Sequence, residues 1–326
     1  MSTSTNAAGS GRAQLSDYLR LARLDHVTKH VFVLPGIALA LTLRGVKNTN
    51  LPLEILLGCI CVVCIASGNY VINEWLDRDF DRHHPTKSAR VSVQTPLNPW
   101  LVYTLWIALV VGGVTAAALA SRAMLIVACL FALQGVIYNV PPIRSKDRAV
   151  LDVLSEAVNN PFRLLIGWAM VDATTLPPGS IILAYWLGGA FLMAAKRLSE
   201  YREITASHGK DLLVRYRRSF RTYTETRLLV SCFAYAMIAT ALFSVFMIKY
   251  RVEYLLVLPF LVLLFCVYLS LSMKPRSVAQ APEKLFKDPR LMVTAGLFVA
   301  AVLVLTVVKI PGLAQFTEEH YIVINK

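Results

Sequence analysis

Long apolar segments recur along almost the whole chain, and they restrict what it can fold into. Nine of them approach the length that crosses a bilayer, which takes about 20 residues of α-helix. They lie near residues 28–43, 52–76, 99–120, 123–139, 150–171, 180–198, 222–248, 252–273 and 291–309. Only 16% of the residues are charged, against about 25% in soluble domains. The sequence therefore predicts an all-α, polytopic membrane protein with about nine transmembrane helices, in contact with membrane lipids.

Two of these segments are atypical. The first has few apolar residues, and its helix is predicted to begin further back, near Ser16. The fifth contains a row of polar residues, yet residues 162–171 are apolar and the connectivity requires a crossing. We expect a disordered N-terminal tail over residues 1–15, a single transmembrane transferase domain over 16–310 and a non-cytoplasmic C-terminal tail over 311–326.

Basic residues are distributed unevenly between the two sides of this layout. With a cytoplasmic N-terminus, 24 of the 33 Lys and Arg residues fall on the cytoplasmic side and 7 on the other. Such a bias predicts orientation. The net charge of +13 then reflects topology and anionic ligands, and no nucleic-acid signature is present. We predict a multi-pass protein of the inner (plasma) membrane.

An acid motif closes the second apolar segment. Asn73, Glu74, Asp77 and Asp81 stand at spacings that place them on one side of a helix. Like charges gathered in this way repel unless a cation lies among them, and oxygen ligands suit Mg²⁺. The four residues are candidate metal ligands, and Asp77 and Asp81 are also candidate catalytic residues. The alternative is a solvated helix end with the acids paired to neighbouring arginines.

A second polar constellation begins at Tyr138 and Lys146, around a Pro141-Pro142 pair, and continues into the fifth segment. That segment carries Asp152, Glu156 and Arg163, and polar side chains inside a membrane do not face lipid. They are expected to line a cavity opposite the acid motif, with Asp152 and Glu156 as candidate catalytic residues. A structural Asp–Arg pair inside the bundle is the alternative.

Further basic residues are candidates for binding anionic substrates. Lys87 and Arg90 follow the acid motif within ten residues, in a segment that begins His84-Pro85-Thr86. Lys196 and Arg197 close the sixth apolar segment. Tyr138, Lys146 and Arg163 complete the candidate substrate-binding residues. Ordinary positive-inside charge is the alternative for Lys196, Arg197 and the basic loop that follows them.

The two acidic constellations and the nine-segment layout resemble the UbiA superfamily of intramembrane prenyltransferases. Its first motif is written N-D-x-x-D-x-x-x-D, and here Glu74 replaces the first Asp. The resemblance implies a helical bundle with a cytosol-facing polar cavity and a Mg²⁺ cofactor held by the first motif. It covers residues 20–300 or so.

Within this superfamily the chain is most similar to the decaprenyl-phosphate phosphoribosyltransferase branch. The similarity rests on the following residues: His84 to Lys87, Arg90, Lys146, Asp152, Arg163, Lys196, Arg197, Glu200, Ser219, Tyr223 and Thr224. It implies transfer of 5-phosphoribose from 5-phosphoribosyl-1-diphosphate (PRPP) to a polyprenyl phosphate, feeding cell-wall arabinan or related glycolipid synthesis. A homo-oligomer is compatible with this interpretation.

Two features favour a different branch. Arg90 is followed by Val-Ser-Val-Gln, and the run from Tyr138 through Pro141-Pro142 to Lys146 resembles prenyltransferases that act on aromatic acceptors. Such an enzyme would use the same Mg²⁺ site for a prenyl diphosphate. A PRPP enzyme binds more phosphate groups and therefore needs more basic residues. A transporter is the third alternative, but the charges gather at the membrane boundary and no paired broken segments are evident.

Overall fold

The computed structural model describes residues 13–275, 277–280 and 288–313, with the backbone alone for residues 25–29 and 278. The predicted tails lie outside these residues up to residue 12 and from residue 314. All regular elements in the described part are helical, which confirms the predicted all-α class.

Thirteen α-helices are described. They are α1 Leu15–Leu21, α2 Leu34–Arg44, α3 Leu51–Asp81, α4 Val91–Gln94, α5 Pro99–Ala120, α6 Arg122–Asn139, α7 Leu151–Ala157, α8 Asn159–Ala169, α9 Gly179–His208, α10 Lys210–Tyr216, α11 Glu225–Tyr250, α12 Leu258–Ser272 and α13 Pro289–Val307. Short 3₁₀ segments occupy Leu24–Val33, Lys87–Ala89, Ser145–Asp147, Arg218–Arg221, Val252–Val257 and Val278–Gln280.

Seven helices of the described residues are long and apolar enough to cross a membrane. They are α3, α5, α6, α9, α11, α13 and the continuous stretch Val252–Ser272. The shorter apolar stretch His30–Arg44 and the pair α7 and α8 accompany them. Counted as crossings, they bring the described part to the predicted number of about nine, and the protein is a multi-pass membrane protein as predicted.

Side-chain caps set where several crossings begin. Asn50 accepts a hydrogen bond from the backbone N–H of Leu53 at 3.3 Å at the start of α3, and Asn98 accepts one from Trp100 at 2.9 Å at the start of α5. Proline follows directly or one residue later in both helices, where its missing N–H costs nothing. These caps fix the residues at which α3 and α5 begin.

The first crossing is not the single helix predicted to begin near Ser16. Helix α1 begins at Leu15 but ends at Leu21, and Arg23 adopts a left-handed backbone with φ 48°. Because a left-handed residue cannot continue an α-helix, the chain turns there and resumes as a 3₁₀ segment. The predicted helix is wrong in its continuity, although its start and the crossing itself agree with the structure.

The fifth crossing is also broken, between α7 and α8 at Val158. Pro161 lies just beyond the break. A proline has no N–H, and its ring clashes with the carbonyl four residues earlier, which here belongs to Ala157. The predicted polar stripe therefore divides, with Asp152 and Glu156 on α7 and Arg163 on α8.

The two broken crossings pack directly against one another. A Cβ on Gly36 of α2 would stand 2.0 Å from the carbonyl oxygen of Leu164, and one on Gly167 of α8 would stand 2.2 Å from that of Val33. Only glycine allows such close backbone approach. Irregular backbone is costly when it faces lipid, so the mutual packing protects both segments.

Long-range contacts show which helix ends meet on one side of the bundle. Glu74 near the end of α3 binds Arg23, which follows α1, and Glu200 near the end of α9 contacts His84. On the opposite side, the backbone N–H of Lys47 donates to the carbonyl of Val171 at 3.0 Å. The candidate residues therefore collect at the end of the bundle that also holds α1.

Candidate active site

The two aspartates of the acid motif bind basic side chains from two loops. Asp77 Oδ1 accepts from Arg144 Nη2 at 2.6 Å and from Lys146 Nζ at 2.7 Å. One turn further, Asp81 pairs with Arg90. Helix α3 thus presents both aspartates to the loops that follow α3 and α6, and the loops neutralise their charge.

The other two members of the motif have different partners. Asn73 donates its amide N–H to Asn139 Oδ1 at 2.6 Å, while buried Glu74 binds Arg23 at 3.0 Å and Ser92 at 3.4 Å. Among the described residues, no three His, Cys, Asp or Glu side chains gather closely enough to hold a metal ion. Glu74 as a metal ligand stays a prediction, and its structural contacts fasten the N-terminal segment to α3.

A second cluster surrounds Arg197 on α9, and we call Arg197 with Asp152, Glu156 and Glu200 the Arg197 cluster. The guanidinium donates to Asp152 Oδ2 at 3.3 Å, Glu156 Oε2 at 2.8 Å and Glu200 Oε2 at 3.1 Å. Arg197 is 2% exposed, so three carboxylates fix one buried cation. The geometry makes Arg197 an organising residue, and its predicted contact with a substrate phosphate stays a prediction.

Asp152 is fully buried, at 0% exposure. In addition to Arg197 it accepts from Ser219 at 3.1 Å and from the Tyr223 hydroxyl at 2.6 Å. Because both of its oxygens already receive donors, Asp152 ties α7, α9 and the start of α11 together. Its direct catalytic role stays a prediction, as does that of Glu156.

Tyr138 lies between the two clusters. Its hydroxyl donates to Glu156 Oε2 at 2.9 Å and accepts from Arg217 Nη2 at 3.0 Å, while Lys146 Nζ stands 5.6 Å from its ring centroid. Lys146 is the same residue that binds Asp77. A continuous polar surface therefore runs from the acid motif through Tyr138 to the Arg197 cluster.

The segment after α3 is anchored to the Arg197 cluster by His84. Its Nδ1 accepts from the backbone N–H groups of Thr86 at 3.2 Å and Lys87 at 3.3 Å, and its Nε2 lies 3.4 Å from Glu200 Oε1. The two backbone donors fix the ring as the tautomer that carries its proton on Nε2. Lys87 is held with its Nζ 3.8 Å from the same glutamate oxygen.

Burial affects the ionisation of the basic residues in these loops. It lowers the pKa of Lys146 to about 8, although Asp77 acts in the opposite direction. Burial likewise lowers the pKa of Lys87 and that of His84, partly offset in both by Glu200. Burial makes the charged form of these groups less favourable. A bound anion beside them would stabilise the charged form and offset that cost.

Arg163 lies apart from both clusters, deeper along α8. It is 5% exposed, and its Nη1 donates to the carbonyl of Asn159 at 3.2 Å. Lys196 precedes Arg197 on α9 and contributes positive charge near Glu156. The structure thus brings together Tyr138, Lys146, Glu156 and Lys196 with the loops, and leaves Arg163 inside the bundle.

Several residues of the site were not among the candidate site residues, although Glu200 is one of those on which the branch similarity rests. Arg144 and Asn139 bind the acid-motif residues, and Glu200 and Arg217 join the second cluster. Arg144 had a signal, because it stands two residues from Lys146 in the same rigid loop. Arg217 is one of four arginines in a basic stretch, and nothing in the sequence distinguishes it from its neighbours.

Carboxylates and cations thus gather at one end of a bundle of membrane-length helices. The sequence profile of the UbiA prenyltransferase family matches residues 31–294. The chain belongs to this family.

Two proteins of described function are similar to the chain. It is 27% identical to a nodulation protein, NoeC, of Azorhizobium caulinodans over 244 residues, which cover 74% of this chain and 67% of that protein. It is 27% identical to a protoheme IX farnesyltransferase of Geobacillus thermodenitrificans over 168 residues, which cover 49% of this chain and 52% of that enzyme. The second match therefore spans about half of each protein.

Solved structures show the same fold. A UbiA homologue from Archaeoglobus fulgidus bound to DMAPP and Mg²⁺ superimposes with a TM-score of 0.67 at 20% identity, covering 90% of this chain and 100% of that chain. A structure of digeranylgeranylglyceryl phosphate synthase gives a TM-score of 0.59 at 15% identity, covering 92% of this chain and 99% of that chain. The fold agrees with the family to which the sequence profile assigns the chain, and the profile match confirms the predicted superfamily.

Proposed function

We propose that the protein transfers 5-phosphoribose from PRPP to a polyprenyl phosphate of decaprenyl type, with release of diphosphate, for cell-wall arabinan or a related glycolipid. The observation that carries this proposal is the position of Lys87. The His84 anchor holds it between the acid motif and the Arg197 cluster, with the negative charges of both Glu200 and Asp81 acting on it. A lysine between the acid motif and the Arg197 cluster is suited to a substrate that carries phosphate groups at both ends, as PRPP does.

The donor set of the acid motif fits Mg²⁺. Asp77 and Asp81 offer carboxylate oxygens one helical turn apart. Asn73 donates its amide N–H to Asn139, so its amide oxygen remains available as a metal ligand. Oxygen ligands shared with a diphosphate are the set that Mg²⁺ prefers. When bound, the ion would neutralise the diphosphate as it leaves. Asp77 and Asp81 would hold it, and Arg144 and Arg90 would then be free to contact phosphate.

The transfer step needs no general base, because the attacking lipid phosphate is already ionised. An ionised oxygen of the lipid phosphate forms a bond to ribose C1, and the bond from C1 to the diphosphate oxygen breaks with its electron pair on the diphosphate. Positive charge develops at C1 in between, and a carboxylate such as Glu156 would stabilise it. Lys87, Lys146 and Arg90 would orient the phosphates, and Tyr138 would contact the ribose.

A second candidate is transfer of a prenyl group from a prenyl diphosphate to an aromatic acceptor. It is favoured by the fold, because UbiA homologues from Archaeoglobus fulgidus have been solved with DMAPP and with GPP, each with Mg²⁺. The acid motif would play the same part in both reactions. The two differ in the number of phosphate groups that the basic side chains have to bind.

We further propose that the site faces the cytoplasm from the inner (plasma) membrane. PRPP is a soluble, highly charged donor and cannot cross the bilayer. The bias of basic residues supports this orientation, and α1 stands on the same side as the acid motif through the Arg23–Glu74 pair.

Purified protein incubated with radiolabelled PRPP, Mg²⁺ and polyprenyl phosphate tests the proposal. A labelled lipid is the expected product, and EDTA should abolish it. Parallel incubations replace PRPP by radiolabelled prenyl diphosphate and the lipid by an aromatic acid. Product only in the second set would overturn the proposal in favour of prenyl transfer.

A further inference from the structure

Arg163 is a buried cation with unused hydrogen-bonding capacity. Its guanidinium carbon stands 5.4 Å from the Phe131 ring centroid, and the Tyr70 hydroxyl is its side-chain hydrogen-bond partner. The Nε atom has no hydrogen-bond partner among the described residues. We call Arg163, Asn159, Tyr70 and Phe131 the Arg163 pocket.

The pocket supplies no negative charge to Arg163. None of the ion pairs of the described residues includes it, whereas Arg197, buried to a similar degree, has three carboxylates. A buried arginine without a counter-charge is expensive, and inside a membrane protein it marks a functional position. A bound anion would remove that cost.

A second unpartnered atom faces the same side of α8. The Oδ1 of Asn159 is buried without a hydrogen-bond partner, while its amide nitrogen donates to the Glu156 carbonyl at 2.9 Å. Residues four apart share one helix face. An open acceptor beside an open cationic donor suits a ligand group that carries both an anionic oxygen and a hydroxyl.

The pocket lies deeper than the two acidic clusters. Seven residues separate Tyr70 from Asp77 on the continuous helix α3. At the 1.5 Å rise of an α-helix, this separation corresponds to about 10 Å along the axis of α3. The Arg163 pocket therefore adds a position for negative charge beyond the reach of a diphosphate held at Asp77.

We propose that the Arg163 pocket binds the phosphate monoester of a substrate, with Arg163 on its anionic oxygens and the P–OH of the singly protonated phosphate donating to Asn159 Oδ1. The inference rests on the proposed function, which requires two such monoesters. One is the 5-phosphate of PRPP, which is soluble, and the other is the lipid phosphate. Both present the same chemistry to the guanidinium, and the experiment has to tell them apart.

Calorimetric titration of the detergent-solubilised protein separates the two sources. The soluble probe is ribose 5-phosphate with ribose as its uncharged control, and the lipid probe is farnesyl phosphate with farnesol as its control. We expect one phosphate to bind at least tenfold more tightly than its control. Arg163→Gln should remove that advantage, and Arg163→Lys, which keeps the charge without the planar fork, should retain part of it.

The affected probe identifies the source. Loss for ribose 5-phosphate assigns the pocket to the soluble donor, and loss for farnesyl phosphate assigns it to the lipid. Arg227→Gln is the matched control, because Arg227 also lies in an apolar crossing but is exposed. Affinities of Arg163→Gln within twofold of the wild type for both probes would overturn the proposal.

Thermal denaturation without ligand distinguishes a ligand-binding role of Arg163 from a structural one, because the two roles predict opposite changes in the Tm of Arg163→Gln. Removing an unmatched charge should leave the Tm unchanged or raise it. A fall comparable with that caused by removing Arg197, or failure of both Arg163 variants to fold, would mean that Arg163 only supports the fold. Because binding needs no turnover, a wild type that binds a monoester through Arg163 but does not transfer from PRPP would reject the proposed function alone.

Discussion

The Arg197 cluster and the Arg163 pocket place equally buried arginines in opposite electrostatic surroundings. Arg197 is surrounded by three carboxylates and makes hydrogen bonds through all three nitrogens. Arg163 contacts a backbone carbonyl, an aromatic ring and a tyrosine, and one nitrogen is unpartnered. Burial alone therefore does not define the role of a charged residue. The set of partners separates a cation that organises the fold from one that awaits a ligand.

Removal of Arg197 is expected to have the largest effect. Arg197→Gln leaves the buried carboxylates of Asp152 and Glu200 and the half-buried one of Glu156 without their common partner, and breaking a buried ion pair in this way costs about 3–5 kcal/mol. We expect a large drop in Tm and poor recovery of folded protein in size-exclusion chromatography. Arg202→Gln, on the exposed face of the same helix, should behave as wild type. A normal Tm for Arg197→Gln would remove the contrast with Arg163.

The next largest effect concerns the acid motif. Asp77→Asn should lower kcat of the folded protein about 100-fold or more, because the carboxylate serves the leaving diphosphate. It should also lower the Tm, because Arg144 and Lys146 lose this carboxylate partner. Asp79→Asn is the matched control, since Asp79 lies on the same helix with its side chain 68% exposed. Equal activities of the two variants in the labelled-lipid assay would show that Asp77 has no such role.

Lys87 tests whether the second cluster contributes to donor binding. Lys87→Ala should raise the KM for PRPP about tenfold, the value of one charge-assisted contact, while kcat changes less. Lys274→Ala, at an exposed position on the same side of the bundle, provides the control. An unchanged KM would separate Lys87 from the substrate and leave it as a partner of Glu200 only.

His84 should give the smallest effect and a pH dependence. Its pKa is lowered by burial, so the neutral ring persists until the pH falls below about 6.5, its value in an unfolded chain. The stabilising contribution is present above that value and is lost as the pH falls through the lower folded pKa, because protonated Nδ1 cannot accept from Thr86 and Lys87. Transferase activity should fall about threefold as the pH is lowered through the folded pKa of His84.

Two substitutions of His84 separate its two nitrogens. His84→Asn retains an acceptor near the Nδ1 position and should keep the loop in place, whereas His84→Gln retains a donor near the Nε2 position only. The first should remain active with its acid sensitivity removed, and the second should resemble the acidified wild type. Identical pH profiles for both variants and the wild type would exclude the anchor.

The sequence was sufficient for the crossings and for most of the polar residues, because apolar length and the spacing of acids on α3 are local properties. The sequence did not show which side chains these polar residues contact. Whether Arg197 meets a phosphate or three carboxylates depends on α7, which is 40 residues or more away along the chain. The breaks at Arg23 and Val158 were also missed, although Pro161 gave a local signal for the second.

The two broken crossings decide which parts of the chain share a compartment. A hydropathy count that recognised only the seven long helices would start with α3 and would assign α1 and Asp81 to opposite faces. The pair Arg23–Glu74 and the hydrogen bond from the Asn98 N–H to the Tyr18 hydroxyl, 2.9 Å long, require the same face. Reporter fusions at residue 13 and in the loop after α3 should therefore report one side, and a fusion after Arg44 the other.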